Sequence, residues 1–117
     1  MTVKEILALS EIIISKYEEL LSYYNLTYRQ WEIVEFIYYS NSNTINAKYL
    51  SSKLNSDKRL ISLNLSKLEE ENMLLRVDDP NDKRLKLITL SDNALSICPE
   101  IIEGIESINE ELETYLI

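Results

Sequence analysis

The hydrophobic period changes partway along this chain, and that change limits the folds open to it. Up to Leu68 the apolar residues recur every three or four positions, as on amphipathic helices. In LLRVD (74–78) and LKLITL (85–90) they alternate, as on strands with one buried face. Between these runs, Asp79-Pro80-Asn81-Asp82 is turn-forming, with proline at its second position. After Ser91 the helical spacing returns. The class is therefore mainly α with one small β-hairpin, an α+β arrangement. With 117 residues the chain is expected to be a single domain whose core needs neither disulfide nor metal.

From Val3 to Tyr24, Ile6, Leu9, Ile13, Tyr17, Leu20 and Tyr24 form one stripe, and Leu7, Ile14 and Leu21 a second beside it. A helix apolar on two faces is either a central core helix or one that also packs on a partner subunit. We read it as the second. Thr27 and Gln30 resemble a capping box opening a second helix, about Tyr28 to Ser40, with Trp31, Val34, Ile37 and Tyr38 inward. Asn41 to Asn43 form a loop, and Thr44 and Ile45 a very short strand. Asn46 then caps a third helix, Ala47 to Leu54, with Tyr49, Leu50 and Leu54 buried. The tight connection Asn55-Ser56-Asp57, with Ser56 or Asp57 as cap, leads into a fourth helix. Two short helices joined by so short a turn make a helix-turn-helix.

In the fourth helix Ile61, Leu65 and Leu68 define the buried face, while Lys58, Arg59, Ser62, Ser66 and Lys67 lie opposite. Cations for phosphates and guanine edges, with hydroxyls for bases or backbone, are what a major-groove helix requires. Leu60 and Leu63 fall outside the buried stripe. We read them as packing under a neighbouring loop in preference to touching thymine methyl groups. The hairpin that follows carries Lys83 and Arg84 at its tip, and a basic hairpin appended to a helix-turn-helix is a wing. An arginine there suits a narrow A·T-rich minor groove. Asp82 is placed to hold Arg84 or Arg76 in a fixed direction. Lys48 and Lys53 of the third helix complete the candidate DNA contacts, together with Asp82, Lys83 and Arg84 of the wing.

Ser91 is expected to cap a last helix, interrupted at Pro99 by a kink or a fresh first turn. Beyond it Ile101, Ile105, Ile108, Leu112 and Tyr115 keep the spacing of a helix–helix seam. We expect that seam to meet the first helix across a two-fold axis. Ile6, Leu7, Ile13, Ile14 and Leu21 then supply the rest of a dimer interface.

Composition removes most chemistries. The chain has no histidine, one glycine (Gly104) and one cysteine (Cys98), so a histidine-based triad, the common zinc sets and phosphate-cradling loops are all out of reach. We expect no enzyme, no cofactor and no metal. A lone cysteine fits a reducing cytoplasm, and acids interrupt the apolar N-terminal run too often for a signal peptide or a membrane span. We place Cys98 as a structural thiol rather than an oxidant sensor, because no cation lies near it in sequence. The net charge of -8 opposes nucleic acid until its distribution is counted. Residues 44–90 carry nine bases against seven acids, residues 1–43 three against six, and residues 91–117 seven acids with no base. Such a dipole can orient a molecule on DNA. It requires that Lys58, Arg59, Lys67 and Arg84 share a surface that Glu69–Glu71 and Asp78–Asp79 avoid.

The order helix, helix, helix-turn-helix, wing, terminal helix resembles the MarR/SarA group of winged-helix transcription regulators, and the composition is similar to its SarA-type branch from low-GC Gram-positive bacteria. The most specific match is DPNDKRLKLITLS, Asp79 to Ser91, with the wing's Asp-x-Arg element at Asp82 and Arg84. LSKLEEENML, Leu65 to Leu74, is like the end of the family's recognition helix. The resemblance implies a winged helix-turn-helix at 44–90, dimerisation helices at 1–24 and 92–117, and a cytoplasmic homodimer. It would bind a double-stranded, A·T-rich pseudo-palindrome, with residues near 57–71 in the major groove and the wing near 78–85 in the minor groove. A competing expectation is a winged-helix interaction module that antagonises a related regulator, favoured by the acidic balance. A small aromatic effector bound near Tyr23, Tyr24, Tyr28, Trp31, Tyr38 and Tyr39 is a third, weaker reading, because aromatics at helical spacing are more often core.

Overall fold

Short polar side chains punctuate the helices of this nearly glycine-free chain. The computed structural model describes residues 1–54 and 56–115. Its elements are α1 (Val3–Ser22), α2 (Tyr28–Tyr38), a 3-10 turn (Asn41–Asn43), β1 (Thr44–Asn46), α3 (Ala47–Lys53), α4 (Lys58–Glu70), β2 (Leu74–Asp79), β3 (Asp82–Leu90) and α5 (Asp92–Glu113). α1 starts where Thr2 Oγ1 accepts from Glu5 N. It ends where Asn25 turns left-handed, φ 59°, so that Leu26 N donates back to Leu21 O. α4 ends the same way. Asn72 sits at φ 62°, and Met73 N donates to Leu68 O. Glycine usually fills this position, and asparagine is the side chain that best tolerates it. Asn46 caps α3, accepting from Lys48 N and Tyr49 N.

The chain falls into two compact units, Met1–Tyr28 with Pro99–Ile117, and Arg29–Cys98. In the first, α1 and the C-terminal half of α5 run antiparallel. Lys16 Nζ meets Glu111 Oε1 at 2.6 Å, Leu20 lies against Gly104, and Tyr24 stands near Glu100. A Cβ on residue 104 would come within 2.6 Å of Leu20 Cδ1, so the one glycine serves close approach and not a turn. Of the expected seam, Ile101 and Ile108 are buried within the single chain, as is Leu21 of α1. Pro99 neither ends nor restarts α5. The helix is one element through it, although proline has no N–H to give the preceding turn.

In the second unit the strands form an antiparallel sheet in the order β1-β3-β2. Leu74 pairs with Leu90 and Arg76 with Ile88, while β1 adds Thr44 against Thr89, whose hydroxyls bond at 3.0 Å. Leu74, Ile88 and Leu90 turn inward and join a core with Trp31, Val34, Ile37, Leu50, Ile61, Leu65 and Leu68. β3 begins at Asp82, so the hairpin tip is Pro80-Asn81, and Lys83 and Arg84 belong to the first strand residues beyond it. Tyr49 is half exposed, not buried as its position in the pattern suggests. Its ring lies beside that of Phe36. Leu54 and Tyr38 are half-buried. Ser91 ties three segments together. Its N–H donates to Met73 O, its hydroxyl donates to Asn72 O, and the same oxygen accepts from Ala94 N to cap α5.

Candidate nucleic-acid interface

α3 and α4 form the helix-turn-helix, and the hairpin β2–β3 is the wing. Of the connection between the two helices, Asn55 lies outside the described residues. Asp57 Oδ1 accepts from Arg59 N at 2.7 Å and so fixes where α4 begins. With Ile61, Leu65 and Leu68 buried, the helical period places Arg59, Leu63, Ser66 and Glu70 in one outward row. Lys58 and Ser62 flank that row on one side, and Leu60 and Lys67 on the other. All of these side chains are exposed. Leu60 and Leu63 are 52% and 51% exposed, so no loop covers them, and they present apolar surface on the helix that bears the cations.

The flank that faces the wing carries chemistry that sequence reasoning missed. Arg76 shares the inward face of β2 with Leu74, and an arginine on that face must find partners. Its Nη2 donates to Ser66 Oγ at 3.2 Å and approaches Ser62 O at 3.5 Å, while its Nε lies 3.6 Å from Glu69 Oε1. The Ser66 oxygen therefore accepts a bond that joins wing to helix. The signal was available: two residues from a buried leucine in an alternating strand, a charged side chain is aimed at the neighbouring element.

At the other end of the hairpin, Asp82 grips Arg84. Oδ1 accepts from Arg84 N at 3.1 Å and Nε at 3.0 Å, and Oδ2 from Nη2 at 3.2 Å. These bonds, the side-chain ones first, hold the Asp82 carboxyl below its ordinary value. The arginine side chain is 89% exposed, pre-aimed and free to meet another molecule. Asp78 pairs with Lys86, and Asp79 accepts from Asn81 N, so both wing acids have local partners. Glu69 is occupied by Arg76. Glu70 is the exception to the required separation of charges, because it stands in the same row as Arg59. Eleven residues apart, about 16 Å along the axis, the two occupy opposite ends of α4.

Lys48 and Lys53 are exposed on α3, with the Lys53 ammonium 5.4 Å from the centre of the Tyr49 ring. Among the remaining candidates for a subunit contact, Ile6, Leu7, Ile14 and Tyr115 are exposed, and Ile13, Ile105 and Leu112 are half-buried. The six aromatics considered for an effector are divided between the two units. Trp31 is core, Tyr39 lines a cleft with residues of α2 and α3, and Tyr28 lines another with Ile13, Ile14 and Tyr17. Cys98 is wholly buried. Burial, with a smaller effect of the Glu35 charge, pushes its thiol up to about 11, so it stays protonated and poorly reactive at neutral pH. Among the described residues no helix is long and apolar enough to cross a membrane.

Comparison with known proteins agrees with this architecture. Over 92 residues the chain is 29% identical to the HTH-type transcriptional regulator SarZ of Staphylococcus haemolyticus, a match covering 79% of this chain and 61% of that protein. The chain thus spans less than two-thirds of that relative. In solved structures, overoxidized AbfR bound to DNA superposes with a TM-score of 0.75 at 24% identity, over 96% of this chain and 87% of that one. A mutant E. coli MarR complexed with operator DNA gives 0.79 at 23% identity, over 93% and 77%. At such identities the likeness is one of fold, the winged helix. The model of the MarR family matches residues 26–86, more than half of the sequence and including both helices of the helix-turn-helix and most of the wing, and the chain belongs to that family.

Proposed function

We propose that this chain is a dimeric, sequence-specific DNA-binding transcription regulator of the cytoplasm and not an enzyme. The observation that carries the reading is Arg84, exposed and held by a bidentate bond to Asp82 beyond the tip of a hairpin that is itself bolted to α4. α4 enters the major groove by its N-terminal half, where Lys58, Arg59 and Ser62 stand exposed. The wing follows the backbone into an adjacent A·T-rich minor groove. Leu63, next in the row after Arg59, is suited to a thymine methyl group. Glu70, at the far end of α4, then lies beyond the groove. The exposed Ile6, Leu7, Ile14 and Tyr115 supply the subunit contact, and two-fold symmetry sets the two α4 helices about 34 Å apart on a pseudo-palindrome.

The test is selection of bound fragments from genomic DNA at stated salt, followed by titration of the selected site. Wild type should show an affinity that falls steeply with salt, and Lys58→Ala/Arg59→Ala should lower both the affinity and the slope. An unchanged slope in that variant would remove α4 from the interface. A second reading, an antagonist that pairs with a related regulator, is favoured by Glu70 in the outward row and by the charge of -8. It predicts no DNA shift by this chain alone and loss of the relative's shift on mixing.

A further inference from the structure

On the flank of the second unit, α2 and α3 border an open cleft of about 550 Å³ lined by Glu32, Glu35, Phe36, Tyr39, Tyr49 and Leu54. Its walls are aromatic and its charge is negative. Phe36 and Tyr49 stand with ring centres 6.2 Å apart, and Tyr49 already attracts the Lys53 ammonium. Glu32 is paired with Arg29 at 3.3 Å. Glu35 is different. Half-buried, it has no ion pair or hydrogen-bond donor among the described residues, and burial, then the Glu32 charge, raises its carboxyl above the ordinary value. A carboxylate partly withdrawn from water beside a like charge is stabilised by a cation that brings its own N–H donors.

We propose that this cleft binds a small organic ammonium, a protonated aryl- or alkylamine, whose N–H groups donate to the Glu35 carboxylate while its apolar body lies among the rings of Phe36 and Tyr49. The volume suits a small molecule, for which sites run from about 300 to 1,000 Å³. The same two carboxylates reject an anionic aromatic of equal size, so the sign of the charge is the basis of selection. The site stands apart from the DNA reading and does not depend on it.

Phenethylammonium and phenylacetate, alike in shape and opposite in charge, are the probes. Each is titrated into the full chain by calorimetry and by mapping of amide chemical shifts. Phenethylammonium should bind with shifts confined to α2 and α3, and phenylacetate should not bind. Glu35→Gln, which keeps the shape, should weaken the amine at least about tenfold, the loss of a charge-assisted hydrogen bond. Tyr49→Leu, at a half-exposed position that tolerates substitution, should weaken it about threefold. Equal binding of the two probes, no binding of the amine at millimolar concentration, or an amine affinity unaltered in folded Glu35→Gln would each overturn the proposal.

Discussion

The base and the tip of the wing use the same residue type for opposite ends. Arg76, near the base, is 29% exposed and spends its donors on Ser66 and the carbonyl of Ser62, with Glu69 close by. Arg84, beyond the tip, is 89% exposed and among the described residues meets only Asp82, two residues away. A guanidinium whose partners lie on another element fixes the position of that element. One whose partner is its own neighbour fixes only its own direction and keeps its outer donors for something else. The first is thus expected to matter to folding and the second to binding.

The largest effect expected from this contrast is in DNA affinity. Arg84→Ala should cost about 1–3 kcal/mol of binding to a selected site, roughly 10- to 100-fold, with the melting temperature unchanged. A melting temperature lowered along with affinity would break the distinction. Arg76→Ala should lose about 1–2 kcal/mol of stability in urea, leaving Glu69 without its cation. A neutral outcome would reduce the base of the wing to a surface contact.

Ser66→Ala sharpens the comparison further, since the sequence pattern offers this hydroxyl to a base edge or to the DNA backbone. It should cost about 1 kcal/mol of stability in wild type and much less in the Arg76→Ala background, so that the double-mutant cycle does not add. Additive losses would return Ser66 to the groove. The smallest effect is the pH dependence of Arg84 orientation. The Asp82 carboxyl is lowered in the folded chain, so its contribution is present above its ordinary value of 3.8 and is lost as pH falls through the lower folded value. The Arg84 Nε resonance should shift in that acid window, and Asp82→Asn should abolish the shift while weakening DNA only a few-fold.

The parts of the fold legible in the sequence were those written in short-range patterns. The period change at Leu74, the caps at Asn46, Asp57 and Ser91, and the buried row Ile61, Leu65 and Leu68 each depend on residues within about one turn of one another. What escaped depends on partners distant in sequence. Glycine at 104 gives no turn signal because its role is to admit Leu20 of α1. Tyr49 fits the buried pattern of α3, yet its ring stands half exposed beside Phe36 of α2. Arg76 and Ser66 lie ten residues apart, on different elements, and only the stacking of hairpin on helix makes them neighbours. Lys58, Arg59, Lys67 and Arg84, by contrast, are exposed as their residue type suggests, since surface cations are rarely drawn inward.

Ser91 has a mechanical meaning. Through one residue, the end of β3, the segment after α4 and the first turn of α5 share three hydrogen bonds of 2.7–3.1 Å. Such a joint has no slack. The first turn of α5 is thus joined to the end of the sheet and to the segment that closes α4 with no linker between them. The wing root is therefore a joint at which strand, helix end and terminal helix meet in one residue.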